Sequence, residues 1–274
     1  MAGKSMNDVV PQVVVQEKRD RICREIMARA SDRGYTAKDF DRFVSYLSIN
    51  LGLEDPVYVD GVQKPRNYMA GLTARPVHET SQFLWANELE SKFSELKEEL
   101  LKCSTSVAVG AHPQDLADRG KWSVLYFFGR DDQVNQIRAA CPLVCEVLER
   151  IPGTGRAGNT YLSVLKAGTH IQKHYGPTNA RLRCHLALKV PNGARIRIGT
   201  SSYGWTEGKC LIFDDSYEHE VWNDGEGERV VLIIDFWHPD MSEAECWALH
   251  EARRLPDGLR DFSPDSSAMR AVLA

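Results

Sequence analysis

Long apolar runs are missing from this sequence of 274 residues. No stretch approaches the roughly 18 consecutive apolar residues of a membrane span, so neither a membrane-embedded protein nor a membrane partner is expected. The N-terminal region also lacks the charged-then-apolar pattern of a secretory leader, because Pro11 and Gln12 interrupt its valines. A cytoplasmic protein is therefore expected.

A strong excess of charge of one sign is also absent. The formal net charge is -4, which gives no bulk electrostatic reason to expect a nucleic-acid partner. The hydrophobic share of 43% and the charged share of 26% are typical of a soluble globular protein.

The sequence has no regular cysteine framework. An odd count of seven with irregular spacing argues against structural disulfides and favours a reducing compartment. Cys141 and Cys145 lie four residues apart in a region with a helical pattern, so they are interpreted as a buried pair rather than a metal or redox site.

Helical patterns dominate the first part of the chain, and a helical segment over residues 1–65 is expected to pack on a core domain over residues 66–245, with a tail over 246–274. Thr36 and Asp39 are positioned as the cap of one helix. Pro142 is expected to split or kink another. Apolar residues at three- and four-residue intervals predict helices over Lys18–Ala30, Ala37–Leu51, Glu88–Lys102 and Gln133–Arg150.

Strand patterns begin near residue 120. Short apolar segments bounded by Pro, Gly, Asn and Asp turns predict strands over Trp122–Phe128, Tyr161–Leu165, Leu182–Val190, Ala194–Gly199, Lys209–Phe213 and Arg229–Trp237. Since these strands follow helices rather than alternate with them, the pattern favours a mainly β protein, an antiparallel sandwich or barrel with N-terminal helices.

Two histidines beside predicted strands are the main chemical signal. His174 opens the triplet His174-Tyr175-Gly176, and His219 begins a later strand. Two histidines and one carboxylate on one face form the usual non-heme Fe(II) site with open coordination positions. Here glycine stands where the acid would be, so the pair indicates either no metal site or a site with only two protein ligands.

Basic residues form a second signal on one predicted strand. Arg181, Arg183 and His185 would share one strand face, which is costly unless that face meets water or an anion. The segment is either an exposed face or the wall of a carboxylate pocket. Arg229 could likewise bind a carboxylate in a bidentate pair, or form a salt bridge with Glu226 or Glu228.

A rival pairing uses other histidines. His170 and His174 would share a face of a strand, so a site built on these two is a further possibility.

Taken together, these residues resemble the aspartyl/asparaginyl β-hydroxylase family of Fe(II)- and 2-oxoglutarate-dependent oxygenases, over about residues 65–245. The resemblance is carried by Arg75–His78, Ser81–Ala86, Gly168–His170, His174–Asn179, Arg181–Leu186, Glu207–Trp222 and Asp235–Pro239. It implies a double-stranded β-helix, a jelly roll of the cupin type.

The resemblance also implies roles for individual residues. His174 and His219 would hold iron, and Gly176 matches the glycine by which this family departs from related oxygenases. Arg229 would bind the distal carboxylate of 2-oxoglutarate, in a pocket lined by Ser163, Arg183 and His185. Arg181 and Asp215 would contact the substrate.

Three departures from the long animal members suggest a different substrate. No tetratricopeptide array or membrane anchor precedes the domain, Tyr161 stands where those members carry a lysine, and Ile137 replaces one cysteine of a pair. A small molecule, a free amino acid and a carrier- or peptide-bound residue are all open.

The expected activity is hydroxylation of an unactivated C–H bond by O₂, at the β-carbon of an aspartyl, asparaginyl or related amino-acid-like substrate, with release of succinate and CO₂. Chloride could occupy the position left by the missing acid, so halogenation or another oxidative outcome is the alternative within the enzyme class. A non-catalytic jelly-roll binding protein is the alternative outside it.

Overall fold

The computed structural model of this protein describes residues 11–106, 110–111, 116–128 and 134–255. The chain divides into two compact units. Among the described residues, the first comprises residues 11–57, Asn67–Ala70 and residues 242–255, and the second comprises Tyr58–Arg66 and the described part of Gly71–Met241. The domain boundaries expected at residues 65 and 245 stay predictions.

Seven α-helices lie within the described residues. They are α1 (Gln12–Ala30), α2 (Asp41–Asn50), α3 (Leu84–Ser91), α4 (Phe93–Ser106), α5 (Val134–Ala140), α6 (Pro142–Glu149) and α7 (Glu243–Ala252). None of the helices in this part of the chain combines the length and apolar character that a membrane crossing needs.

The first unit contains α1, α2 and α7. The expected cap is confirmed, because the Thr36 amide donates to Asp39 Oδ2 at 2.7 Å ahead of α2. Arg42 of α2 donates two hydrogen bonds to Glu245 of α7, at 2.6 and 2.5 Å. The residues expected to form a tail thus begin inside a helix.

Two predictions concern helices of the second unit: the break at Pro142 is confirmed, and the single helix over Glu88–Lys102 is not. Pro142 is the first residue of α6 and separates it from α5, as expected, while Gln133 lies outside the described residues. The prediction of a single helix over Glu88–Lys102 is wrong, because the chain leaves helical geometry at Lys92, between α3 and α4. The Ser91 hydroxyl donates to the Glu88 carbonyl at 2.9 Å, a local bond that competes with the helical ladder.

In the described part of the second unit, twelve strands form two antiparallel sheets. The strands are β1 (Val77–His78), β2 (Gly110–Ala111), β3 (Ala117–Arg119), β4 (Trp122–Phe128), β5 (Thr160–Leu165), β6 (Thr169–His174), β7 (Arg181–Lys189), β8 (Ala194–Ile198), β9 (Ser201–Tyr203), β10 (Cys210–Phe213), β11 (His219–Asn223) and β12 (Arg229–Trp237). The larger sheet has the order β1-β10-β7-β12-β5-β4-β2, and the smaller has the order β3-β6-β11-β8-β9.

From β5 onward the chain passes repeatedly between the two sheets. A buried cluster between them takes residues from both, including Phe213 and Val231 of the larger sheet and Ile171 and Ile196 of the smaller. The sheets therefore pack face to face. The predicted double-stranded β-helix is confirmed.

A second core covers the outer face of the larger sheet. Leu182, Cys184 and Leu186 of β7 point into it, against helices α3 to α6. Because strand side chains alternate, Arg181, Arg183 and His185 point to the inner face, towards the smaller sheet. The predicted division of β7 into two faces therefore places three polar side chains inside the β-helix.

Strand β6 has no predicted bounds, and strand β11 is predicted only by its start at His219, although both carry a candidate metal ligand. Each alternates buried with partly exposed residues, and each has charged or polar side chains on its outer side. Gln172 and Lys173 of β6 are exposed. Such half-exposed strands lack the continuous apolar run that predicts strands such as β4, β7 and β12.

Candidate active site

The two histidines predicted as metal ligands lie side by side. His174 ends β6 and His219 begins β11, and the two residues are direct partners in the antiparallel register. Their ring centroids are 4.0 Å apart. The smaller sheet therefore brings together two imidazoles that are 45 residues apart in the sequence.

Backbone carbonyls fix the orientation of both rings. His174 Nδ1 lies 2.7 Å from the Gln172 carbonyl oxygen, and His219 Nδ1 lies 2.9 Å from that of Tyr217. Since a carbonyl only accepts, each Nδ1 carries the proton. Each Nε2 keeps its lone pair, which is the state in which histidine binds a metal.

The electrostatics of the pair favour neutral rings. Burial lowers the pKa of His174. Burial, and then the neighbouring His174, lower the pKa of His219 well below its ordinary value. Neutral imidazoles can bind a metal ion at neutral pH without first losing a proton.

Gly176 supplies space rather than a ligand. A Cβ at this position would lie 2.3 Å from both Cγ and Oδ1 of Asp215. The Gly176 amide also donates to the Asp215 carbonyl at 2.5 Å. The carboxylate of Asp215 thus occupies the volume that a side chain at residue 176 would need. Within the described residues, no group of three or more His, Cys, Asp or Glu side chains is arranged to hold a metal.

Arg229 forms a cationic site deeper in the β-helix. Its side chain is 1% exposed and pairs with no carboxylate in the described part of the chain. One guanidinium nitrogen donates to Ser163 Oγ at 3.3 Å, and the group lies 4.9 Å from the Trp205 ring centroid. Burial lowers the pKa of Arg229 to about 9, so the group stays charged at neutral pH.

Such a cation is expected to bind an anion, since a buried charge is normally paired. The salt bridge to Glu226 or Glu228 that was the alternative is not formed; Glu228 instead accepts from Lys166.

His185 lies beside this cation. It is 4% exposed, and neither ring nitrogen has a hydrogen-bond partner in the described residues. Burial, and then Arg229, lower its pKa well below the ordinary value, so it is neutral. The ring stacks near Trp205, with centroids 5.9 Å apart. Arg229 and His185 therefore keep polar atoms without a hydrogen-bond partner in the described residues, beside Ser163, and this group of side chains has the chemistry to hold a carboxylate.

Arg181 and Arg183 lie in a charge-balanced cluster with two acids. Arg183 Nε donates to Asp235 at 2.8 Å, and its NH1 lies 3.2 Å from Asp215. Arg181 is 2% exposed and lies 2.9 Å from Asp235 and 3.6 Å from Asp215. Burial alone would lower the pKa of Arg183, but the two acids raise it well above the ordinary value.

The cluster bears on the roles expected for its members. Arg183 is 13% exposed at its side chain, so it is the more accessible of the two arginines. A substrate carboxylate at Arg181 would have to compete with two aspartates. The substrate role of Arg181 and Asp215, and the cosubstrate role of Arg183, stay predictions.

The rival pairing of His170 with His174 is not formed as a metal site. The two nitrogens of His170 lie 2.8 Å from Asp118 and 2.8 Å from Glu220. Its ring also stacks on Trp222, at 5.4 Å between centroids. Both nitrogens thus contact carboxylates, so His170 is engaged in a surface ion-pair and hydrogen-bond network rather than paired with His174.

Two residues of the site were not predicted. Trp205 lies in an irregular segment, between strands, whose sequence has no recognisable period. Asp235 interrupts the apolar strand β12, in which every residue is buried. A single acid in such a strand needs a buried partner, and this signal could have indicated its pairing with Arg183 directly across the sheet.

Comparison with known proteins finds a matching family model and several relatives. The family model described as aspartyl/asparaginyl beta-hydroxylase matches residues 90–239. Human aspartate beta-hydroxylase domain-containing protein 2 is 41% identical over 136 residues, which are 47% of this chain and 37% of that protein. Human aspartyl/asparaginyl beta-hydroxylase is 36% identical over 180 residues, 63% of this chain and 24% of that protein.

A bacterial protein is similar over a longer part of its own length. The ornithine lipid ester-linked acyl 2-hydroxylase of Rhizobium tropici is 36% identical over 186 residues, 64% of this chain and 65% of that protein. The chain thus spans less than two thirds of each of these relatives.

Proposed function

We propose that this protein, which belongs to the aspartyl/asparaginyl β-hydroxylase family, is an Fe(II)- and 2-oxoglutarate-dependent hydroxylase. The observation that carries the proposal is the combination of two neutral, carbonyl-oriented histidines with a buried arginine that lacks an acid. One part fits a divalent metal, and the other fits a dicarboxylate. A structural arginine would be expected to have an acidic partner.

Each site residue has a role in this proposal. His174 and His219 would hold the iron through Nε2. Arg229, with Ser163 and His185, would bind the far carboxylate of 2-oxoglutarate. With both groups bound, the centre would supply oxidation of a C–H bond by O₂, coupled to conversion of 2-oxoglutarate to succinate and CO₂.

The protein's own contribution is orientation and exclusion of water. The two carbonyls hold the imidazole rings, the buried residues between the sheets would exclude water, and Asp215 fills the space beside Gly176. Arg183, with a side chain that is 13% exposed, would line the 2-oxoglutarate site, and Arg181 and Asp215 would orient a polar part of the substrate. These are positioning effects, which can account for a large part of catalysis.

The substrate is proposed to be amino-acid-like, free or attached to a peptide or a lipid. The human relative's name refers to aspartyl and asparaginyl residues, and that of the Rhizobium relative to an acyl chain of an ornithine lipid. All three relatives are named as hydroxylases or hydroxylase-domain proteins, so halogenation is not favoured. The paired histidines and Arg229 likewise do not favour a non-catalytic binding protein. Placement in the cytoplasm is also a proposal, which cell fractionation would test.

The test is a coupled assay with Fe(II), 2-oxoglutarate and O₂. Candidate substrates are aspartyl and asparaginyl peptides, free amino acids and acylated amino-acid lipids, each with and without chloride. Succinate release together with a product that has gained one oxygen atom supports the proposal. A chlorinated product would replace hydroxylase by halogenase. The His219→Ala variant should release no succinate, and retained turnover would remove His219 from the site.

A further inference from the structure

A short segment of the second unit, Asp60–Lys64, is fastened to the turn that leads into His219. We call this segment the strap and the residues 214–217 the turn. Gln63 and Tyr217 form an antiparallel bridge, and the Lys64 amide donates to the Ser216 carbonyl at 3.1 Å. The strap thus adds a short strand-like contact beside the residue whose carbonyl orients His219.

Side chains reinforce this contact at two points. The Gln63 amide group donates to Asp214 Oδ2 at 2.6 Å, and both residues are buried. The Tyr217 hydroxyl donates to Asp60 Oδ2 at 3.1 Å. Burying polar groups in this way is costly unless their bonds are made, so the two contacts hold the strap and the turn in one arrangement.

The strap and the turn each have a defined internal shape. In the strap, Asp60 Oδ1 accepts from the Val62 amide at 2.9 Å, and the Asp60 carbonyl accepts from the Gln63 amide at 3.1 Å. In the turn, Asp214 Oδ1 accepts from the amide and the hydroxyl of Ser216, at 2.9 and 2.6 Å. A preformed strap therefore contacts a preformed turn.

We infer that the strap is a positioning element for His219, with Gln63 and Asp60 as positioning residues that act through Asp214 and Tyr217. The physical route is short. The strap fixes the backbone and ring of Tyr217, the Tyr217 carbonyl holds Nδ1–H of His219 at 2.9 Å, and this bond presents Nε2 to the metal. Loss of the strap contacts would let the carbonyl move and the imidazole rotate.

The inference rests on the proposed metal site, and its test therefore includes a measurement on the metal-free protein. Gln63→Met keeps the length of the side chain and removes its donor. Tyr217→Phe keeps the ring and removes the hydroxyl. Val59→Ala is a matched surface control, since Val59 is 69% exposed and adjacent to the strap. Leu96→Ala, in the outer core, is a control for general loss of stability.

The first readout is the dissociation constant of Co(II) alone, measured on the full chain by visible absorption. We expect Gln63→Met and Tyr217→Phe each to weaken Co(II) by about tenfold, the lower end for residues that orient metal ligands. Both controls should bind as the wild type does. The second readout is the NMR resonance of the His219 Nδ1–H proton in the metal-free protein. This proton should exchange faster with water in both Gln63→Met and Tyr217→Phe, which we call the strap variants.

The outcomes separate the two ideas. The proposed metal site is contradicted if the wild type does not bind Co(II), or if Co(II) binding persists in His174→Ala. In that case the exchange of the His219 Nδ1–H proton still tests the strap. Unchanged Co(II) affinity and exchange in both strap variants overturn the inference. So does an equal loss of affinity in Leu96→Ala, because the effect would then follow stability alone.

Discussion

Replacing Arg229 by methionine should not destabilise the ligand-free protein. Burial lowers the pKa of this guanidinium from 12.5 to about 9. Since a tenfold change in acidity corresponds to about 1.4 kcal/mol, the folded state holds the charge at a cost on the order of 5 kcal/mol. Methionine removes that cost, and it also removes the contacts with Trp205 and Ser163, worth together about 2–4 kcal/mol. The Arg229→Met variant should therefore be as stable as the wild type, or more stable by up to about 3 kcal/mol.

Urea unfolding of the metal-free wild type and variant, without and with 2-oxoglutarate, measures the free energy of unfolding and its increase when the ligand binds. Ligand at about 100 times its dissociation constant should stabilise the wild type by roughly 2.7 kcal/mol and the variant not at all. A ligand-free Arg229→Met protein that is less stable than the wild type by several kcal/mol would refute the reasoning. Such a loss would mean that the arginine is already compensated in the fold.

Three further predictions concern neighbouring residues. Gly176→Asp should lower stability by about 3 kcal/mol in urea unfolding, because Asp215 must move away from Arg183 and Arg181. This variant should not bind Co(II) more tightly, and unchanged stability would contradict the prediction. His185→Leu should raise the 2-oxoglutarate KM by about tenfold and leave Co(II) affinity unchanged, whereas an unaltered KM would exclude His185 from the pocket. Burial raises the pKa of Asp214 to about 7, so the folded state retains a proton that the unfolded state loses near pH 4. Stability should then fall by about 4 kcal/mol as pH rises from about 4 to 7, and urea unfolding of Asp214→Asn should show a flatter profile; an unchanged profile would assign the dependence to other groups.

The parts of the fold that follow from sequence are those with a continuous apolar signal. The bounds of Trp122–Phe128 and Arg229–Trp237 agree with prediction because both segments are almost entirely apolar and buried. Strands β6 and β11 lack that signal, since one side of each faces outward. Their pairing depends on the larger fold, which sets β6 beside β11 through contacts distant in sequence.

The candidate site divides in a similar way. His174 and His219 could be recognised because imidazole has a specific chemistry and both lie beside strands. The shared face of Arg183 and His185 followed from strand alternation alone. For the arginine–aspartate cluster, the lone acid in β12 signals only that a buried partner is needed. The choice of Arg183 as that partner depends on the register that places Asp235 opposite it.

The most direct test of the central claim is an anaerobic titration of the metal-free protein with Fe(II) and then 2-oxoglutarate, followed by visible absorption. The account predicts a saturable metal-to-ligand charge-transfer band, absent in His174→Ala and shifted to much higher 2-oxoglutarate concentration in Arg229→Met. A wild-type protein that gives no band, or a band that survives His174→Ala, would contradict the assignment of this site.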